Sequence, residues 1–289
     1  MSSHFQLLIE ADQLKTIQQE CIILDCRHDL FNHDAGAADY ASSHIEGAQF
    51  CNMETDTAGA HTGTNGRHPL PSREAWRDRL AAFGLHTNQQ LVAYDAHGGQ
   101  FAVRVWWMAR WIGHSHVAVL NGGLPAWIAA SGTVQSNLLT GAAGTVKPGN
   151  ICIQSSLSHH IDADQLALNL AAKSSILIDA RAQVRYAGET EPIDPVAGHI
   201  PGAVNHFYQH NLNADGRFKS ADLLRAQFES LIKQTPPVQV IHQCGSGVTA
   251  CHNILAMELA GMTGSSLYPG SWSEWCSDTA RGVQKGAMP

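Results

Sequence analysis

The chain has 289 residues, 44% of them hydrophobic and 15% charged, with a formal net charge of −7. That length is comfortable for two domains and the composition excludes a disordered or fibrous protein. No basic excess exists to neutralise phosphates, which argues against a general nucleic-acid binder. The opening residues lack a basic segment followed by a long apolar one and are too acidic for a mitochondrial presequence. Apolar stretches such as Val103 to Ile112 are interrupted by Arg104 and Arg110 and do not suit a bilayer. The seven cysteines are an odd number without a CxxC pair, which suggests reduced thiols. A cytoplasmic protein without membrane partner is the expectation.

Taken in chain order, the elements repeat. Ile22-Ile23-Leu24-Asp25-Cys26-Arg27 is a short apolar run ending in Asp-x-Arg, and so is Ile176-Leu177-Ile178-Asp179-Ala180-Arg181. Each reads as a buried strand followed by a loop. His44-Ile45-Glu46-Gly47-Ala48 matches His199-Ile200-Pro201-Gly202-Ala203. A separation of 154 residues links Asp25 to Asp179, and 155 link His44 to His199. Ser72 opens a helix running through Phe83, followed by a strand from Leu91 to Tyr94, a Gly-Gly turn and a helix from Phe101 to Ile112. Gly122-Gly123-Leu124-Pro125-Ala126-Trp127 ends this half and parallels Gly270-Ser271-Trp272-Ser273-Glu274-Trp275.

The turn-rich segment Ser136 to Asn150 reads as a junction. We therefore expect a first domain over 1–140, a linker over 141–150 and a second domain over 151–289. In the second half Ser220 opens a helix to Lys233, Pro236-Pro237 breaks it, and a strand from Val238 leads to Gln243. Strands alternating with helices predict two α/β domains, each a parallel sheet flanked by helices.

Chemistry concentrates after that strand, at Cys244-Gly245-Ser246-Gly247-Val248-Thr249-Ala250, followed by a helical run to Leu259. In a parallel sheet this puts Cys244 at a strand's carboxyl end, where ligand crevices form. The short glycine-bearing loop lets backbone N–H groups turn inward around a sulfur, and the helix adds the positive end of its dipole. Both would support a thiolate nucleophile, a bound persulfide or a developing oxyanion.

Three other readings share the loop. Gly245 to Ala250 fits a GxGxxA dinucleotide fingerprint, but it lies late in the chain without an acidic ribose partner about 20 residues on. A cysteine phosphatase would place an arginine where Ala250 stands. A buried, inert cysteine beside a tight turn is the third.

With these residues together, the sequence resembles the tandem-rhodanese family, and Cys244 to Ala250 is similar to the active loop of 3-mercaptopyruvate sulfurtransferases. The resemblance extends over Asp25 to His44, Val103-Trp106-Trp107 and Gly122 to Trp127, then from Asp179 onward. It implies two tandem rhodanese-like domains, of which only the second is catalytic. Asp95 occupies the first-half position of Cys244, and a carboxylate cannot carry sulfane sulfur. The first domain would then supply a wall and polar groups for an interdomain cleft.

The resemblance also implies Arg185 as an anchor for the substrate carboxylate, with Gly245, Gly247, Val248 and Thr249 forming the substrate loop. It suggests a relay of Glu54, His68 and Ser246, in which the histidine polarises the hydroxyl and handles the substrate's thiol proton. Arg181 reads as structural, paired with Asp179 or a neighbouring loop. The sequence departs from the mercaptopyruvate pattern at Asp194, where a second arginine is usual. Thiosulfate-using relatives have an acid there, but they carry basic residues where Gly245 and Ser246 stand. The loop touches the reacting sulfur, so it weighs more.

The resulting expectation is a sulfurtransferase taking sulfur from 3-mercaptopyruvate, or else from thiosulfate. Its acceptor would be cyanide, a small thiol or reduced thioredoxin. A non-catalytic sulfur carrier is the alternative of another class. No cofactor is called for. His114-Ser115-His116, His159-His160 and Cys251-His252 lack a second ligand set at metal-site spacing, so no metal is expected.

Overall fold

A computed structural model describes residues 4–136 and 146–288. Two compact units emerge, one of 1–58, 71–158 and 214–218, the other of 59–70, 159–213 and 219–289. The predicted junction at 136–150 and the linker at 141–150 fall partly outside the described residues. Beyond them, residues 149–157 are bound to the first unit through Gly149 N–H to Ala81 O (2.7 Å), Gln154 N–H to Ile112 O (2.8 Å) and Leu157 N–H to Arg110 O (2.9 Å). The second unit accordingly starts at His159 rather than at 151.

The first unit contains β1 (Leu8–Ile9), β2 (Ile22–Asp25), β3 (His44–Ile45), β4 (Gln49–Phe50), β5 (Leu91–Tyr94), β6 (Val117–Leu120) and β7 (Val134–Gln135). Its main sheet is ordered β1-β6-β5-β2-β4, with every pairing parallel. The second unit contains β8 (His159–His160), β9 (Ile176–Asp179), β10 (Val204–Asn205), β11 (Val240–Gln243) and β12 (Ser266–Leu267). Its sheet is ordered β8-β12-β11-β9-β10, again parallel throughout. The two orders are the same when corresponding strands are matched, so the repeat read in the sequence is a repeat of topology. Strands β5 and β11 are central and buried along their length; β5 reads as an unbroken apolar run, whereas β11 closes on the buried polar pair His242-Gln243.

The repeated motifs have the same physical cause in both halves. Arg27 grips Asp25 through its side chain (Nη2 to Oδ2, 2.6 Å) and donates to Ser43 O at 2.6 Å. Arg181 grips Asp179 in the same way (2.6 Å) and donates to Gly198 O at 2.8 Å. Each Asp-x-Arg therefore ties the end of a buried strand to the residue before the next histidine. His44 stacks on Tyr40 with ring centroids 3.9 Å apart, and His199 stacks on Tyr186 at 3.8 Å. Gly47 and Gly202 then turn with φ of 79° and 82°, a region that favours glycine. Arg181, expected to be structural, is buried and also lies over the Trp272 ring at 4.8 Å.

Helices Arg73–Ala82 and Ala221–Ile232 sit where Ser72 and Ser220 predict them. Ser72 Oγ accepts the Ala75 N–H at 3.0 Å, satisfying one of the helix's free donors. One boundary differs: the predicted strand from Val238 begins only at Val240, because Pro237–Gln239 form a 3-10 turn.

Burial strongly depresses His114, His206 and His242, which has a consequence for stability. Burial pushes His242 down to about 3, and His206 and His114 to about 4, from an ordinary value of 6.5. Between pH 6.5 and those values the unfolded chain binds protons that the native one does not. Stability is therefore complete above pH 6.5 and falls as pH drops, by about 1.4 kcal/mol per pH unit for each histidine. Urea melts at pH 7, 6, 5 and 4.5 should show this loss, and His242→Leu should make the slope shallower. An unchanged slope in that variant would contradict the assignment.

Candidate functional site

The site residues of the second unit gather at the carboxyl end of β11. Cys244 follows the strand directly and is 2% exposed. Its Sγ accepts the Gly247 N–H at 3.2 Å, so the loop does turn a backbone donor onto the sulfur. Gly247 has φ of 79°, and a Cβ there would strike Pro269 O. This position needs glycine on both counts. Val248 O and Thr249 O accept the N–H groups of Cys251 and His252 at 3.1 Å each, joining the loop to helix Ala250–Leu259.

The segment Gly270–Trp275 clamps the loop from the other side. Trp272 N–H donates to Cys244 O (3.0 Å), and Ser273 N–H donates to Gly245 O (2.9 Å). Ser271 Oγ accepts the Cys244 N–H at 3.1 Å and donates to Tyr268 O at 2.9 Å. Ser271 holds φ of 54°, a left-handed conformation that a non-glycine residue adopts at some cost. Its first-half counterpart, Gly123, has φ of 58° without that penalty. Ser271 thus spends strain to fix the cysteine's backbone. Sequence pattern did not single it out, because its hydroxyl meets Cys244 only through the fold.

The first half uses the same loop for a different occupant. The Asp95 carboxylate is fully buried and accepts four backbone N–H groups, from His97 (2.8 Å), Gly99 (2.9 Å), Phe101 (2.8 Å) and Ala102 (3.1 Å). The chain's own carboxylate fills the anion cradle there.

Among the residues predicted for the relay, His68 and Ser246 come together, with Nδ1 to Oγ at 2.7 Å and both side chains buried. His68 belongs to segment Gly59–Leu70, which is part of the second unit. Glu54 belongs to the first unit, where its carboxylate lies 3.4 Å from His28 Nε2. His28, His33 and Glu54 also set three potential ligand atoms within 4.8 Å of one another among the described residues. Sequence spacing did not reveal that group, because Glu54 joins His28 and His33 only through the fold.

Arg185 does face the loop: its Nη1 lies 3.6 Å from where a Cβ on Gly245 would stand. It is not a lone charge. Glu191 accepts from its Nε (3.2 Å) and Nη2 (2.6 Å), and Asp194 Oδ2 is 3.3 Å from Nη2. Burial acts to raise the Glu191 carboxyl, but hydrogen bonds from Arg185 and from the Asp194 and Ile193 N–H groups outweigh it and hold it low. Asp194 goes the other way: burial pushes it up more than Arg67 and Arg185 pull it down. Asp194 Oδ1 is paired with Arg67 Nη1. Arg67 and Glu191 were not among the predicted site residues, although Arg67 adjoins His68 in the sequence.

With this geometry in view, the comparisons with known proteins are specific. The rhodanese-like domain family matches the chain twice, over residues 10–130 and 162–278. The chain therefore belongs to the rhodanese family, in tandem form, and is a sulfurtransferase. It is 43% identical over 283 residues to a probable 3-mercaptopyruvate sulfurtransferase of Pseudomonas aeruginosa, covering 96% of this chain and 98% of that protein. It is 35% identical over 247 residues to the thiosulfate sulfurtransferase of Bos taurus, covering 82% and 78%. Among solved structures, the 3-mercaptopyruvate sulfurtransferase from Leishmania major superposes with a TM-score of 0.82 at 28% identity, covering 93% of this chain and 74% of that one. SseA from Escherichia coli, a 3-mercaptopyruvate sulfurtransferase, does so with 0.79 at 27%, covering 93% and 100%. Among the described residues no helix is long and apolar enough to cross a membrane.

Proposed function

We propose that the protein moves sulfane sulfur from 3-mercaptopyruvate to a thiophilic acceptor through a persulfide on Cys244, releasing pyruvate. The observation that carries this is the uncharged Gly245-Ser246 pair beside Cys244, set under the Arg185 guanidinium. The donor's carboxylate binds Arg185, which brings its sulfur toward the cysteine. The Cys244 thiolate attacks that sulfur, and the carbon–sulfur bond breaks with its electron pair going to carbon. The pyruvate enolate takes up a proton, and His68 with Ser246 handles the donor's thiol proton. The outer sulfur of the persulfide then passes to cyanide, a small thiol or a reduced thioredoxin, which regenerates the thiolate.

The charges around the site support a monoanionic donor over a dianion. Arg67, Arg181 and Arg185 are matched by Asp179, Glu191 and Asp194 in one ion-pair network. A network already balanced takes one further negative charge more easily than two. In this reading the second unit, which carries Cys244, is catalytic and the first is not. The seven free thiols suit a reducing cytoplasm.

Steady-state rates with 3-mercaptopyruvate and with thiosulfate, on one preparation and with cyanide as acceptor, test the donor. The former should win by a wide margin, and Arg185→Met should lower its kcat/KM by roughly a hundredfold. A wide preference for thiosulfate would contradict the donor assignment.

A further inference from the structure

We propose that Arg67 supplies the second guanidinium of the donor clamp, taking the part that the acid at Asp194 leaves unfilled in its own segment. The inference rests on the proposed role of Arg185. The ends of the two arginines converge: Arg67 Nη2 lies 2.9 Å from the place of a Cβ on Gly245, and Arg185 Nη1 lies 3.6 Å from it. The space above Gly245 is thus bounded by two guanidiniums, and a side chain there would displace Arg67.

The carboxylates aim these forks without using them up. Asp194 takes Arg67 Nη1 on one oxygen and Arg185 Nη2 on the other, which sets the spacing of the two cations. Glu191 takes Nε and Nη2 of Arg185. Arg67 Nη2 and Arg185 Nη1 have no hydrogen-bond partner among the described residues. The side chains are 25% and 17% exposed, so a small solute reaches them, whereas Asp194 and Glu191 are each 3% exposed. Two N–H donors from different guanidiniums can each take one oxygen of a carboxylate.

Arg67 is also fixed relative to the reacting loop. Its N–H donates to Ser273 Oγ at 3.0 Å. Gly66 approaches Gly270 so closely that a Cβ would lie 2.8 Å from Gly270 O, and its φ is 81°. Segment Gly270–Ser273 in turn bonds Cys244 O and Gly245 O. One rigid set of contacts therefore links the position of Arg67 to that of Cys244.

The test uses Arg67→Met, Arg67→Lys and the double variant Arg67→Met/Asp194→Asn in the full chain, with circular dichroism to confirm folding. Two readouts are taken: kcat and KM with 3-mercaptopyruvate, and the rates at which iodoacetate and iodoacetamide alkylate Cys244, followed on its peptide by mass spectrometry. The neutral and anionic reagents differ in the carboxylate, so their rate ratio reports the clamp whatever the donor is. Arg67→Met should raise KM, lower kcat/KM roughly ten- to hundredfold and reduce the iodoacetate-to-iodoacetamide ratio by a similar factor. Arg67→Lys, which keeps charge without the fork, should fall between and serves if the methionine variant does not fold. The double variant removes the charge of the acid along with the arginine and should stay impaired. Recovery in the double variant would mean that Arg67 only balances Asp194, and would overturn the proposal, as would an unchanged alkylation ratio in the single variants. If 3-mercaptopyruvate is not turned over by the wild type but the ratio still falls, the clamp stands and the donor assignment fails.

Discussion

Cys244→Ser is expected to lower sulfur transfer by at least roughly a thousandfold in kcat with the fold intact. The serine Oγ would occupy the same buried site and still meet the Gly247 N–H, which lies 3.2 Å from the present sulfur. The backbone clamps from Trp272 and Ser271 involve the main chain of residue 244 and are untouched. What is lost is the nucleophile, because a serine hydroxyl neither ionises at neutral pH nor holds a second sulfur. Turnover with cyanide as acceptor, alongside a thermal melt, measures both parts. Persistent turnover would remove Cys244 from the mechanism.

The second large effect is on stability. Asp95→Ala should destabilise the protein by about 3–5 kcal/mol, because four backbone N–H groups lose their shared acceptor in a fully buried loop. Each such donor, left without water or carboxylate, retains its full desolvation penalty. Urea unfolding of the wild type and the variant provides the comparison. A loss under about 1 kcal/mol would show that the loop is held by other contacts. The prediction also explains why the first half is silent in the proposed mechanism. Its cradle is filled from within, and the step from Asp179 to Arg185, repeated from Asp25, lands on Phe31, which is 73% exposed. Neither Asp95 nor Phe31 supplies a sulfur carrier or a guanidinium.

Much of the fold was legible in the chain because its central strands are buried on both faces. Ile22–Asp25, Leu91–Tyr94 and Ile176–Asp179 are continuous apolar runs closed by an acid or an aromatic with a buried polar task. The repeated Asp-x-Arg and His-Ile-x-Gly-Ala motifs were readable for a related reason. Each is a local device, an arginine gripping the acid two residues back or a glycine at positive φ, so its parts lie close in sequence. The two-residue strands β1, β8, β10 and β12 were not legible, since two residues carry no periodicity. The start of β11 was misplaced because an extended pattern from Val238 did not reveal the 3-10 turn after Pro236.

The candidate site divides in the same way. Cys244, Gly245, Ser246 and Gly247 stand together in the sequence, and the resemblance to rhodaneses carried His68 and Arg185 to the same place. Arg67, Glu191 and Ser271 were missed because their partners lie far along the chain or face them only through the fold. Asp194 was noticed as an acid where a base is usual. Its effect was not readable, because nothing in the sequence says that it pairs with both Arg67 and Arg185.

The central claim is that sulfur resides on Cys244 between donor and acceptor. Intact and peptide mass spectrometry after exposure to 3-mercaptopyruvate without acceptor tests it most directly. The account predicts one added sulfur atom, confined to the peptide containing Cys244 and removed by cyanide. Sulfur found only on another cysteine, or none on the protein while pyruvate is released, would contradict it.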